Sequence, residues 1–137
     1  MKYLLLCISC FLLSFQQVSA QEETAKKETL IDDMCAFGYA TSLNDSIVYM
    51  TEIAQMPQVK ISNKTKFLVN RASYTNQLKE YMSKIGVEHP TCAIIFDQNK
   101  KKLNKKFVTM MSKFQKKKRY FVKTISEEEF KFTAIKE

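Results

Sequence analysis

The stretch Glu88-His89-Pro90-Thr91-Cys92 places the one histidine of the chain three residues before a cysteine. Imidazole titrates near neutrality without help, and a Cys–His pair makes a thiolate nucleophile, so this is the strongest catalytic-looking cluster in the sequence. Its spacing argues against it. His89 precedes a proline in a turn, and side chains three apart on a loop-to-strand junction need not meet. Cys92 also has a competing use. Cys35 and Cys92 are the two cysteines outside an N-terminal apolar run, and an exported chain with two cysteines most simply forms one disulfide. Closing so long a loop stabilises a fold by about 4 kcal/mol in the chain-entropy picture. The other reading is two buried thiols acting as small hydrophobes.

Other chemistry is thinner. Two cysteines and one histidine match no zinc finger or ribbon spacing, and no C-x-x-C lies outside the apolar run. The acids Asp32, Asp33 and Glu127 to Glu129 form short runs, and no spacing picks out a catalytic pair. With Gly38 and Gly86 as the only glycines, no phosphate-cradling loop can form. Asn44 and Asn63 each head an N-glycosylation sequon, a short pattern that arises by chance. The expectation is a chain with no catalytic residue, metal or cofactor. A thiol enzyme using Cys92 with His89 and a purely structural envelope component stand as the alternatives.

Charge is the more informative feature. Residues 99–121 hold ten lysines and arginines and no acid, in a chain whose net charge is +8. Lys116, Lys117, Lys118 and Arg119 would end a helix, where cations complement the dipole. Lys100, Lys101, Lys102 and Lys105 would begin it, and Lys64 and Lys66 would begin an earlier one, where the same effect opposes them. In βαβ units, helix N-termini gather above the strand C-terminal ends, so these six lysines are the candidate anion site. The candidate partners are an anionic glycan, a lipid phosphate or an acidic protein. Specific nucleic-acid recognition is not expected, because the chain has two arginines and Phe107 and Phe114 fall on an inward stripe.

The elements that position these residues are legible from periodicity. Residues 35–43 and 46–55 are rich in β-branched and aromatic residues and flank Asn44-Asp45, the pattern of a hairpin with a two-residue turn. Residues 63–86 read as a helix capped by Asn63, with Phe67, Tyr74, Leu78, Tyr81, Met82 and Ile85 on its apolar stripe. "TCAIIFD" reads as a strand buried on both faces. Leu103, Phe107, Met110, Met111 and Phe114 give the basic helix one inward stripe with lysines opposite. "RYFVKTI" is a strand, Ser126 and Glu129 form a capping box, and "KFTAI" is a last edge strand.

The implied fold class is α/β (α+β): a two-layer sandwich with one mixed sheet, a β-hairpin followed by βαβαβ, and two helices on one face. Residues 1–20 read as a signal peptide, with Lys2, an apolar run from Tyr3 to Phe15, and Val18 and Ala20 before the cleavage point. Residues 21–33 read as a disordered leader and 34–137 as one small α/β domain. The expected location is periplasmic or extracellular, with no transmembrane segment after cleavage.

Overall fold

The computed structural model describes residues 27–136, so the expected signal peptide and residues 21–26 of the leader lie outside the described residues. Within it the chain forms seven strands and two helices. In order these are β1 (Glu28–Ile31), β2 (Cys35–Thr41), β3 (Ile47–Thr51), β4 (Ala54–Gln55), β5 (Val59–Ser62), α1 (Arg71–Lys84), β6 (Thr91–Asp97), α2 (Lys100–Lys116) and β7 (Phe121–Ile125). The fold is an α/β sandwich built on a mixed sheet, as the pattern of elements implies.

The main sheet is centred on β2. Strand β6 pairs antiparallel along all of β2, from Cys35↔Asp97 to Thr41↔Thr91. The opposite side of β2 is shared by β3, against Tyr39 to Thr41, and β4, against Cys35 and Ala36. Parallel pairing of β3 with β7 completes the order β6-β2-β3-β7. A separate two-stranded sheet pairs β1 with β5, Glu28↔Ser62 to Ile31↔Val59.

Alternation along β2 separates two cores. Ala36 and Ala40 join Tyr74, Leu78 and Met82 of α1, together with Ile94, Ile125 and Phe132. Phe37, with Cys35 and Tyr39 beside it, joins Leu103, Phe107, Met110, Met111 and Phe114 of α2. The helices therefore lie on opposite faces, which corrects the expectation of two layers with both on one face. The cause is strand order. The first crossover runs from β3 over β2 to β6, and the second returns from β6 over β2 and β3 to β7. Crossovers of one hand that travel in opposite directions place their helices on opposite faces.

Four local readings change as well. Residues 28–31 of the expected leader form β1. The hairpin loop runs from Ser42 to Ser46, closed by Asp45 Oδ1 accepting from the Ile47 amide at 3.0 Å. Helix α1 starts at Arg71, because residues 63–70 turn back onto β5. The Ser62 amide donates to Phe67 O, the Val69 amide donates to Lys60 O, and Lys66 and Asn70 are left-handed at φ 59° and 57°. "TCAIIFD" meets a helix on each face, yet it is an edge strand in which only Ile94 is fully buried.

Residues 131–135, the expected last strand, form none. Phe130 and Phe132 pack instead against Tyr81 and Tyr74 of α1, and Gln77 holds Thr133 by two hydrogen bonds. The expected capping box is present. Glu129 Oε2 accepts from the Ser126 amide at 2.9 Å, and Ser126 Oγ accepts from the Glu129 amide at 3.4 Å.

A lysine-covered helix face as the candidate site

Helix α2 is set by its two sides. Asn99 Oδ1 accepts from the Lys102 amide at 3.1 Å and caps the first turn. Leu103 is fully buried, and Phe107 meets Phe37 edge-on at 5.1 Å between centroids. With that stripe turned to the sheet, every lysine from Lys100 to Lys118 is exposed. Of the lysines on α2, Lys106 is the one paired among the described residues, with Asp97 at 3.2 Å.

The structure divides the six candidate lysines. Lys100, Lys101, Lys102 and Lys105 sit on the first two turns of α2, facing water. Lys105 borders a shallow groove of about 410 Å³ with Lys106, Lys113, Ile95, Thr109 and Met110. Lys64 and Lys66 lie in the turn between β5 and α1, not at a helix N-terminus. Lys66 lines a cleft of about 380 Å³ between the small sheet and the end of β6, shared with Thr29, Asn63, Phe96 and Asp97. Lys64 and Lys66 thus do not begin a helix, while Lys66 shares its cleft with Asp97 and Gln98 beside the N-terminus of α2.

The N-terminus of α2 already has an anion of its own. Asp97 Oδ1 accepts from the Asn99 amide at 3.0 Å, and Oδ2 accepts from Lys106 Nζ. That amide, then the Lys106 bond and the charges of Lys106 and Lys102, hold the Asp97 carboxyl below the usual carboxylate range. What remains free is the outward face of α2 and its C-terminal end, where lysines line up with no acid between them.

The cysteines correct the disulfide expectation. Both thiols are free. Their strands are neighbours, but Cys92 pairs opposite Ala40 and Cys35 opposite Asp97, five residues apart along the ladder. Cys35 faces α2 and Cys92 faces α1, so the sheet lies between them. Burial pushes the Cys92 thiol up to about 11, against a smaller lowering influence of Lys79. Such a group is protonated at neutral pH and is a poor nucleophile.

His89 is exposed in a loop at φ 45°. Its neighbour Glu88 holds the β2–β3 loop, its carbonyl accepting from Ser42 Oγ at 2.6 Å and its carboxylate from Asn44 Nδ2 at 3.2 Å. Among the described residues no group of three His, Cys, Asp or Glu side chains can hold a metal ion, and no helix is long and apolar enough to cross a membrane.

Phe67 and Ile85, both expected on the core stripe of the first helix, are exposed, as are Leu43 and Phe121. Leu43 lies in the β2–β3 loop rather than in a strand, whereas Phe121 begins β7 as expected with its side chain in water. The Asn44-Asp45 turn signal beside Leu43 was the one hint that it sits at a loop tip. Compared with known proteins, the chain matches no family model, no curated protein and no solved structure.

Proposed function

We propose that the chain is an exported, non-catalytic binding module whose α2 lysine face meets an anionic glycan, a lipid phosphate or an acidic protein. The observation that supports this most is the face itself. The helix is anchored by an apolar stripe, so its lysines are held in one orientation, and all but Lys106 lack a carboxylate partner among the described residues. A fixed cationic strip in an otherwise slightly acidic chain attracts anions over about a Debye length. The raised Cys92 thiol and the structural use of Glu88 favour binding over thiol catalysis. The inward placement of Phe107 and Phe114 leaves no stacking platform for nucleic-acid bases on this face.

The test compares two lysine sets on immobilised heparin. Reversing Lys101, Lys105 and Lys116 to Glu on α2 is expected to weaken retention about tenfold or more, taking about 1 kcal/mol per cation near an anionic surface. Reversing Lys64 and Lys66 is expected to change little. Equal retention of the α2 variant and the wild type, both folded by circular dichroism, would overturn the proposal.

A further inference from the structure

Six large apolar side chains are exposed among the described residues; Leu30, Phe67 and Val108 lie apart, and the other three share one end of the main sheet. Leu43 is 98% exposed, Phe121 71% and Ile85 44%. All three belong to one end of the main sheet, where β2 turns into β3, β6 and β7 begin, and both helices end. The segments are tied there. The Phe121 amide donates to Ser46 O at 2.9 Å, and Ser42 Oγ donates to Glu88 O at 2.6 Å, three residues after Ile85.

The same end carries Lys84, Lys116, Lys117, Lys118 and Arg119, all exposed. Its carboxylates are engaged internally. Asp45 accepts from the Ile47 amide and the Tyr49 hydroxyl, and Glu88 accepts from Asn44. Singly exposed apolar residues such as Leu30, Phe67 and Val108 are ordinary, but three from separate segments at one cation-rimmed end point to an interaction surface.

We propose that this end docks on a bilayer surface containing anionic phospholipid. Leu43, Ile85 and Phe121 enter the interface, and Lys116, Lys117, Lys118 and Arg119 meet lipid phosphates. Apolar groups beside cations are the combination that interfacial binding requires. Leu43 projects from a loop tip rather than lining a groove, which suits a deformable apolar phase better than a shaped protein surface. No unpacking of α2 is needed, because the apolar stripe of that helix stays on the sheet. The charge part of this proposal rests on the anion-binding reading above; the apolar part does not.

The chain has no tryptophan, so Leu43→Trp and Phe121→Trp each install a unique fluorescent reporter, and Val108→Trp, midway along α2, serves as control. The full chain carrying each reporter is mixed with phosphatidylcholine vesicles with and without phosphatidylglycerol, using brominated acyl chains as quencher. The expected result is a blue shift and quenching at 43 and 121 with phosphatidylglycerol only, and neither at 108. Reversing Lys116, Lys117 and Lys118 to Glu should weaken vesicle binding about tenfold or more. Sedimentation of the chain with phosphatidylglycerol vesicles while both reporters stay unshifted would overturn the docking proposal and leave the anion-binding reading standing. So would reporters that respond to polyglutamate and not to vesicles, which would indicate an acidic protein partner. Absence of binding to these vesicles and to heparin alike would overturn both.

Discussion

Gly38 shows how tightly the α1 side of the sheet is closed. A Cβ at this position would lie 2.5 Å from Leu78 Cδ2 and 3.3 Å from the Phe132 ring, and Leu78 is fully buried. The Gly38 amide donates to Thr51 Oγ1 at 2.8 Å, so the backbone here has little room to move. Gly38→Ala is expected to destabilise by about 1–3 kcal/mol in urea unfolding, through overpacking. Cys92 makes a second prediction at this scale. Its thiol keeps its proton to about 11 in the fold, against an ordinary 9.0. Between those values the folded state binds more protons than the unfolded one. The Cys92 contribution is therefore complete below about pH 9 and is lost as pH rises through about 11. Cys92→Ala should flatten the fall of stability across that window, as followed by denaturant midpoints. Tyr49, Tyr74 and Tyr81, each raised above 10.0 chiefly by burial, contribute in the same sense in both proteins and cancel in the comparison.

Helix α2 is the element most fully legible in the sequence. Leu103, Phe107, Met110, Met111 and Phe114 keep one period over three turns, and nothing else competes for those backbone groups, so stripe and lysine face fall where the spacing puts them. Leu103→Ala is expected to cost about 2–5 kcal/mol, because the side chain is fully enclosed beneath the helix and leaves a cavity. A Lys105→Ala control, with its side chain in water, should change thermal stability little. The start of α1 was not legible. Lys66 and Asn70 adopt left-handed backbone, and the Ile61↔Leu68 bridge draws the preceding residues onto β5. That pairing is tertiary and leaves no periodic trace. Capping residues fared likewise: Ser126 with Glu129 is a local device and was readable, whereas Asn63 looked like a cap and instead accepts from Thr29 Oγ1 at 2.6 Å.

At the scale of the whole molecule, strand order decides what the site can be. Periodicity identifies β2, β3, β6, β7 and both helices, but it carries no information on the side of β2 that each partner takes. Once β6 and β7 sit at opposite ends of the sheet, α1 and α2 must lie on opposite faces. That arrangement separates Cys35 from Cys92, and it leaves the basic helix alone on its face. The lysines expected at two helix N-termini are divided instead between the α2 face and the turn between β5 and α1. The most direct test of this account is a titration of the chain with heparin over a salt series. The account predicts that affinity falls steeply with salt in the wild type, and that both affinity and its salt dependence shrink when Lys101, Lys105 and Lys116 are reversed to Glu. Affinity insensitive to salt, or unchanged by that reversal in a folded variant, would contradict it.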